Sequence, residues 1–301
     1  MNEPVLKSVE LTKLYPPMRK GVVGIRDLID TFKKRRGRIR ALNKVTFDVQ
    51  AGEVFGLLGP NGAGKTTFCK IIADLVIPTS GNAYVLGHDV IKEHRKIVGK
   101  MIAVFGGEIA MWGVFAWRMS VYRNLKFIAN LWKIPSSELE KRISFALEVL
   151  DLEDKRDEWY QKLSGGTQQK LYLALPLIVQ APMILLDEPT IRVDVMTRRE
   201  MHEIIRERLC RELGCGVLLT THNMGEAERV CDRVAILSHG EIVEMGTPKE
   251  ISERLGEDNF EDAFVKAVGT VPKDMDMGSF GSGRTRGTGG GGRGGGFRGF
   301  R

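Results

Sequence analysis

The chain has 301 residues, 43% of them hydrophobic, and a formal net charge of +7. That length fits one large domain or two small ones, and the apolar content is sufficient for a packed core. No stretch approaches the roughly 18 uninterrupted apolar residues of a membrane span, and the first ten residues lack the apolar run of a signal peptide. We therefore expect a cytoplasmic protein without a membrane-spanning segment of its own.

The four cysteines show neither a C-x-x-C pair nor the spacing of a metal site, which predicts small thiols that are buried or partly buried. They are Cys69, Cys210, Cys215 and Cys231. The positive charge is concentrated in two places, residues 33–40 and the C-terminal tail. The net charge of +7 therefore reflects two basic patches and not an evenly basic surface.

The first predicted strand is 5–11, and Tyr15 follows just before Pro16 and Pro17, which end any regular element. Tyr15 has two interpretations. It is an aromatic platform on which an adenine base stacks, or it is an ordinary tyrosine at the end of a strand. Taken alone, the residue favours the second.

A segment at 21–40 separates the first two predicted strands. Ile25, Leu28, Ile29 and Phe32 form an apolar stripe on one helical face, and a basic run follows at 33–38. One interpretation is a short surface helix packed on its own domain. The other is an amphipathic element that lies on a membrane, with basic residues toward anionic lipid.

The chemistry is centred on a glycine-rich loop. After a predicted strand at 41–49, the short apolar run before residue 59 predicts a buried strand, and helical spacing follows from Phe68. The loop matches G-x-x-x-x-G-K-[ST], in which glycines aim backbone N–H groups at a phosphate chain, the lysine contacts the β- and γ-phosphates and the hydroxyl binds Mg²⁺. A chance glycine-rich turn is disfavoured because every fixed position matches. The predicted phosphate-binding residues are Gly59, Pro60, Asn61, Gly62, Ala63, Gly64, Lys65, Thr66 and Thr67.

The middle of the chain is predicted to be a helical subdomain. Predicted strands at 82–86 and 101–105 precede a mostly helical interval at 117–163. Ser137 and Glu140 have the spacing of a capping box. A buried stripe on the helix after them is formed by Leu139, Ile143, Leu147 and Leu150.

A second anion site is predicted at Ser164, Gly165 and Gly166, because a serine and two glycines open a helix there. The alternative is a plain helix N-cap. Pro176 lies inside the helix that follows and should kink it.

Two carboxylates end the predicted buried strand at 183–188. Asp187 and Glu188 lie where ligands bind in α/β sheets, at the carboxyl end of a buried parallel strand. Asp187 suits Mg²⁺, and Glu188 suits general-base work on an attacking water. His222 follows the next apolar strand, at 217–221, and therefore lies at the same edge of the sheet. A hairpin is predicted over 234–245.

The tail differs in composition. Residues 278–301 are rich in glycine with interspersed arginine and phenylalanine, so the segment cannot bury a core and should be disordered. One interpretation is a linker or solubilising tail. The other is binding of RNA or another anionic surface through arginine and stacked phenylalanine.

In this order and spacing, the motifs resemble the ATP-binding subunit of ATP-binding cassette (ABC) transporters, over roughly residues 5–251. The run Gly56–Gly62, and Val104–Gly106 before a loop with Trp112, resemble the ABC-2 class of exporters. The resemblance implies an α/β fold: a P-loop (RecA-like) core with a mostly parallel sheet, an antiparallel β subdomain and a helical subdomain. The implied division is an ATP-binding domain at 1–270, with the helical subdomain at about 109–175 and the basic excursion at about 18–40, followed by a disordered tail at 271–301.

The resemblance also implies roles for particular residues. Tyr15 would stack on the adenine of ATP, Thr66 and Asp187 would serve Mg²⁺, Glu188 would polarise the water, and His222 would sense the γ-phosphate. The catalytic residues would then be Lys65, Glu188 and His222. Ser164, Gly165 and Gly166 would bind the ATP held by a second ATP-binding subunit, in a head-to-tail homodimer or heterodimer.

Three residues depart from the family pattern. Gly107, followed by Glu108, replaces a glutamine that reaches Mg²⁺ and couples to the membrane partner. Arg192 stands where a small residue is usual, and Thr167 where the signature usually has glutamine. None of these changes touches Lys65 or Glu188, so hydrolysis is still expected.

The sequence therefore predicts an ATPase that powers a membrane exporter with a separate integral-membrane permease, at the cytoplasmic face of the membrane. The resemblance favours a permease or bilayer contact for the basic excursion. The rival is a soluble ABC ATPase that acts on RNA or the ribosome through the tail. A non-hydrolysing regulatory module is disfavoured because Lys65, Asp187 and Glu188 are all present.

Overall fold

The computed structural model describes residues 3–16, 38–106 and 115–269. Most of the basic excursion, Gly107 and Glu108, the loop with Trp112, and the glycine-rich tail lie outside these residues. The expectations for those segments stay predictions.

The strands of the described residues form two sheets. They are β1 (Leu6–Tyr15), β2 (Ile39–Val49), β3 (Val54–Leu58), β4 (Ser80–Val85), β5 (His88–Asp89), β6 (Met101–Phe105), β7 (Met183–Asp187), β8 (Gly216–Thr221), β9 (Arg233–Ser238) and β10 (Glu241–Gly246). The four-stranded sheet has the order β2-β1-β4-β5, and the six-stranded sheet has the order β10-β9-β3-β8-β7-β6.

Helices flank these sheets. They are α1 (Lys65–Ile72), α2 (His94–Ile97), α3 (Val121–Leu131), α4 (Ser136–Val149), α5 (Gly165–Leu171), α6 (Ala174–Val179), α7 (Val195–Glu203), α8 (Met224–Val230), α9 (Pro248–Leu255) and α10 (Phe260–Gly269). The α7 helix continues as a π-helix over Ile204–Glu212. Within the part of the chain that the structure describes, no helix combines the length and apolarity needed to cross a bilayer.

The six-stranded sheet forms the centre of the fold. All its pairings are parallel except the β9–β10 hairpin. Successive residues of β3, β7 and β8 pack into one apolar cluster and then the other, on opposite faces of the sheet. Burial on both faces explains why these strands are continuous apolar runs. The predicted α/β fold with a mostly parallel sheet is confirmed.

The four-stranded sheet is antiparallel and covers one face of that core. Its strand β1 is longer than predicted, because its pairing with β2 continues to Tyr15 opposite Ile39. Phe47 joins the layers, since its ring lies 4.8 Å from the rings of both Phe55 on β3 and Phe68 on α1. Helix α1 is therefore held between the two sheets.

The opposite face of the central sheet is covered by helices. Leu139, Ile143, Leu147 and Leu150 are all buried there, as the periodicity predicts. The predicted capping box of Ser137 and Glu140 is wrong, because α4 begins at Ser136 after Pro135 and has no side-chain cap. Glu140 instead accepts hydrogen bonds from Tyr122 and Arg156, so tertiary partners replace the local one.

Pro176 coincides with a break in the helical segment. Helix α5 ends at Leu171, and α6 begins at Ala174. Proline has no N–H with which to bond the carbonyl four residues earlier, which here belongs to Tyr172. The predicted interruption is observed, and it lies one turn before the proline.

The register of the parallel strands brings four strand ends to one edge. Leu58 pairs with Thr221, and Asp187 pairs with both Thr220 and Phe105. Each of these residues is at or next to the carboxyl end of its strand. The loops that follow β3, β6, β7 and β8 therefore start within a few residues of one another.

Candidate active site

Three of the predicted residues meet at this edge. The Lys65 Nζ atom lies 3.4 Å from Glu188 Oε1, and His222 Nδ1 lies 3.2 Å from the same oxygen. The Lys65 side chain is 5% exposed, whereas Glu188 is 20% and His222 is 48% exposed. A buried cation, a carboxylate and an open imidazole thus form one cluster with a solvent-facing side.

Asp187 is buried directly behind this cluster. Its Oδ1 atom accepts a 2.5 Å hydrogen bond from Thr220 Oγ1 on the neighbouring strand. The thiol of Cys69 on α1 is also close, and burial followed by the Asp187 carboxylate raises the pKa of that thiol well above its usual value. Cys69 is therefore a neutral thiol, and all four cysteines are free and buried as predicted.

The glycine-rich loop can follow its path only because two of its residues lack a side chain. A Cβ atom on Gly59 would lie 2.2 Å from the Leu237 carbonyl oxygen, and one on Gly64 would lie 2.3 Å from that of Ala41. Gly64 also has a φ of 115°, in the region that favours glycine. The Lys65 ammonium group donates to the Gly59 carbonyl at 2.7 Å, which holds it at the mouth of the loop.

The backbone at Glu188 is strained. Its φ is 50°, in the left-handed region that is uncommon for a residue with a side chain. The Glu188 N–H group donates to the carbonyl and to the hydroxyl oxygen of Thr220, both at 3.1 Å. Gly106 packs from the other side, and its N–H group donates to the Asp187 carbonyl at 2.6 Å. These contacts fix the direction of the Glu188 side chain.

The second predicted anion site is a helix N-terminus. Ser164 caps α5 by accepting a hydrogen bond from the Thr167 N–H group at 3.2 Å, and the two hydroxyl groups lie 2.8 Å apart. The N-cap interpretation is thus observed, while a role in binding anions stays a prediction. The same helix reaches the strained turn, because Gln169 Nε2 donates to the Pro189 carbonyl at 2.7 Å.

The predicted adenine platform lies on the other sheet. Tyr15 ends β1 and is partly exposed, and the Lys13 ammonium group lies 5.0 Å from the centre of its ring. The residue opposite it in the β1–β2 register is Ile39. The structure does not bring Tyr15 into contact with the Lys65 cluster, and its stacking role stays a prediction.

Arg192, one of the three departures, lies at a backbone conformation that favours a small residue. Its φ is 61°, so the turn after Glu188 contains a second left-handed residue. Small residues suit such a turn because a side chain is strained there. Thr167 replaces the usual glutamine and uses its hydroxyl group within the Ser164 cap.

The residues present fit a nucleoside triphosphate and a magnesium ion. The glycine cradle, a lysine at its mouth and the N-terminus of α1 supply donors and positive charge for phosphates. Thr66, in the first turn of α1, and Asp187 supply hard oxygen atoms, the kind that Mg²⁺ binds. Thr66 and Asp187 are also the two residues that the sequence predicts for Mg²⁺.

Several residues of this site had no role assigned from the sequence. Thr220 and Gly106 support the Asp187–Glu188 turn, and Thr190 and Glu226 form a buried bond beside it. The sequence placed His222 at the end of the strand at 217–221. It did not show that Thr220 lies opposite Asp187, because that pairing depends on the register between two strands. Nothing in the sequence pairs Thr190 with Glu226.

Comparison with known proteins agrees with this geometry. The family model described as ABC transporter matches residues 42–191. The chain is 35% identical over 241 residues to the doxorubicin resistance ATP-binding protein DrrA of Mycobacterium tuberculosis, covering 80% of this chain and 69% of that protein. It is 34% identical over 241 residues to the spermidine/putrescine import ATP-binding protein PotA of Acidothermus cellulolyticus, covering 79% of this chain but only 61% of that protein.

Solved structures show the same fold. CbiO1 from Clostridium perfringens, part of the ABC transporter complex CbiONQ, has a TM-score of 0.68 at 25% identity and covers 84% of this chain and 92% of that one. The bacterial ABC transporter cassette MJ0796, solved as a dimer, has a TM-score of 0.64 at 26% identity and covers 80% of this chain and 98% of that one.

We predict that Gly106→Ala loosens this site and destabilises the protein. The added Cβ would lie 2.2 Å from the Glu188 carbonyl oxygen, which is backbone and cannot rotate away. Such overpacking costs typically about 1–3 kcal/mol of unfolding free energy. Urea unfolding measures it, with Gly225→Ala as the control, because a Cβ there meets nothing closer than 3.5 Å. Equal stability of the two variants would contradict this packing.

Proposed function

The chain belongs to the family of ABC transporter ATP-binding proteins, and from that premise we propose that it binds and hydrolyses ATP to power a membrane exporter. The observation that carries the proposal is the cluster of Lys65, Glu188 and His222 at the edge of a parallel sheet, next to a glycine cradle. A separate integral-membrane permease would hold the transported substrate. The protein itself would work at the cytoplasmic face of that membrane.

Binding of the triphosphate begins at the loop after β3. Backbone N–H groups of the loop and the first turn of α1 bind the phosphate oxygens, and Lys65 neutralises the β- and γ-phosphates. The Lys65 ammonium group is already held by the Gly59 carbonyl at 2.7 Å. Little side-chain entropy is then lost when the phosphates bind, because the lysine is buried and ordered.

Hydrolysis is phosphoryl transfer to water, which depends mainly on positioning and charge stabilisation. Glu188 would accept the proton of the attacking water. His222 Nδ1 lies 3.2 Å from Glu188 Oε1 and is partly exposed, so it would contact the γ-phosphate of a bound nucleotide. Magnesium held by Thr66 and Asp187 would neutralise charge on the phosphate oxygens. Thr220 orients Asp187 for that task.

The catalytic unit would be a head-to-tail dimer, either a homodimer or a heterodimer. Ser164, Gly165 and Gly166 open α5 at an exposed helix N-terminus, which suits the phosphates of an ATP bound by the other subunit. MJ0796, a related cassette, was solved as a dimer. Two sandwiched nucleotides would hold the dimer closed, and hydrolysis would release it.

Export is the direction we propose. The Gly56–Gly62 run resembles the ABC-2 exporter class, and DrrA is named for doxorubicin resistance. PotA, at nearly the same identity, is named as an import protein. Overall identity therefore does not distinguish export from import, and the proposal of export rests on the Gly56–Gly62 run. The basic excursion at about 18–40 would contact the permease or the bilayer, and the rival RNA role of the tail rests on composition alone.

We predict that Glu188→Gln slows ATP hydrolysis by about 10²–10⁴-fold, the usual effect of a lost general base. ATP binding should survive, because Lys65 and the loop are unchanged. Steady-state phosphate release and equilibrium nucleotide binding measure the two effects. Glu253→Gln on the exposed face of α9 is the matched control. Wild-type turnover in Glu188→Gln would refute the role of this carboxylate.

We predict that Lys65→Ala abolishes measurable ATP binding, because the phosphates lose their main positive charge. Calorimetric titration with ATP measures the affinity, and thermal unfolding shows whether the variant is folded. Lys70→Ala, on the same helix, is the control and should bind ATP normally. Unchanged affinity in a folded Lys65→Ala protein would contradict the assignment.

The export direction has its own test. The tagged Glu188→Gln protein, incubated with ATP in native membranes, should co-purify with a polytopic membrane protein in stoichiometric amount. Wild-type protein reconstituted with that partner, with the ATP-binding subunits outward, should move its substrate into the vesicle lumen when ATP is added outside. Labelled doxorubicin is the first probe, after the name of the relative DrrA. If ATP added outside instead drove substrate out of the lumen, the protein would be part of an importer. Recovery of RNA or ribosomal components without a membrane protein would favour the rival.

A further inference from the structure

A buried polar cluster lies behind the turn that carries Glu188. It contains Thr190 after β7, His202 on α7 and Glu226 on α8, which are 6%, 8% and 2% exposed. We call it the Glu226 clamp. None of its members belongs to a sequence motif with an assigned role, and they come from three separate segments of the chain.

Glu226 is the centre of the clamp. Its Oε1 atom accepts a 2.7 Å hydrogen bond from the Thr190 hydroxyl group and lies 2.9 Å from His202 Nε2. Burial alone would raise the pKa of Glu226, but hydrogen bonds from His202, Thr221 and Thr190 more than offset it, so the pKa is lowered. Glu226 is therefore a buried carboxylate whose charge is stabilised by donated hydrogen bonds.

The tautomer of His202 follows from its surroundings. Nδ1 is buried and has no hydrogen-bond partner among the described residues. An imidazole with its hydrogen on Nε2 donates to Glu226 and leaves Nδ1 as an unpaired acceptor.

The clamp touches both loops that carry catalytic groups. Thr190 is two residues after Glu188, and Thr221 is the residue directly before His222. Asn223 continues the second contact, since its N–H group donates to Thr221 Oγ1 at 3.0 Å and its side chain caps α8 through the Glu226 N–H group. One carboxylate thus joins the turn after β7 to the turn after β8.

The turn after β7 needs such an anchor. The left-handed backbone at Glu188 stores strain that persists only where the surroundings fix it. Thr220 holds the start of the turn through the Glu188 N–H group. Thr190 holds the other side through its bond to Glu226. Gln169 holds the backbone of this side through the Pro189 carbonyl, so loss of the Thr190 bond should shift the Glu188 side chain and not unfold the turn.

We infer that Thr190 and Glu226 are positioning residues for ATP hydrolysis, which fix the Glu188 carboxylate relative to His222. The inference rests on the proposed function, in which Glu188 is the general base. A stabilising role alone explains the clamp less well, since taking an ionised carboxylate out of water is costly even when hydrogen-bond donors compensate for it. The benefit lies in geometry, because Thr190 is two residues after Glu188, and Thr221, which also bonds Glu226, directly precedes His222.

The test uses a pair of variants at one position. Thr190→Val removes the hydroxyl group and keeps the branched shape, whereas Thr190→Ser keeps the hydroxyl group. We expect Thr190→Val to lower kcat by about 10–100-fold with KM changed less than about threefold, since a displacement of ~1 Å of a catalytic group costs up to about 10²-fold. Thr190→Ser should restore most of the turnover. Thr46→Val, an exposed hydroxyl deletion on β2, is the matched control.

A second measurement separates positioning from folding. In a Glu188→Gln background, Thr190→Val should cause no further loss of turnover, because it acts through the carboxylate already removed. A general folding defect would instead reduce the residual rate and the amount of ATP-binding protein in both backgrounds by the same factor. Glu226→Gln, which keeps the acceptor oxygen, should retain more activity than Glu226→Ala.

The outcomes distinguish the two proposals. If Glu188→Gln is slow and Thr190→Val turns over at the wild-type rate, the clamp does not position the base and the inference fails. The inference also fails if the loss in Thr190→Val persists at equal size in the Glu188→Gln background. If Glu188→Gln itself is as fast as wild type, the general-base assignment fails first.

Discussion

The structure depends on one constraint, which is that parallel strands in register deliver their carboxyl ends to a single edge. Leu58 opposite Thr221 and Asp187 opposite Thr220 are consequences of that register. A shift of one strand by a residue would exchange the side chains that pack into one apolar cluster with those that pack into the other, so neither close-packed face would fit its neighbours. Core packing therefore fixes the register, and the register places Lys65, Asp187, Glu188 and His222 together.

The strained backbone at this edge of the sheet is held in place by contacts from neighbouring strands and helices. Gly59 and Gly64 approach neighbouring carbonyl groups more closely than any side chain allows, and Glu188 adopts a left-handed conformation. Contacts from Thr220 and Gly106 hold the turn from the sheet, and the Glu226 clamp holds it from the helices. Gln169 adds a bond from α5 to the same turn. The helix that is proposed to meet the other subunit's nucleotide is thereby linked to the general base.

The fold and the site differ in how far the sequence predicts them. Apolar runs such as 183–188 and the G-x-x-x-x-G-K-[ST] spacing are local patterns, so the strands could be predicted from them. The structure brings Lys65, Glu188 and His222 together as those patterns suggest, and their catalytic roles stay predictions. The capping box at Ser137 failed because Glu140 binds Tyr122 and Arg156, partners that are distant in sequence. The Glu226 clamp was missed for the same reason, since Thr190 and Glu226 are joined only by the folded chain. Roles for Tyr15 and Ser164 still rest on resemblance.

The most direct measurement of the central claim is a crystal structure of the Glu188→Gln protein with ATP and Mg²⁺. The account predicts that Lys65 Nζ binds β- and γ-phosphate oxygens, that Thr66 and Asp187 face the metal ion, and that His222 lies beside the γ-phosphate. A nucleotide bound away from residues 59–67, or phosphates that leave Lys65 bonded only to the Gly59 carbonyl, would contradict it. The same structure would show whether Ser164 of a second copy closes over the nucleotide.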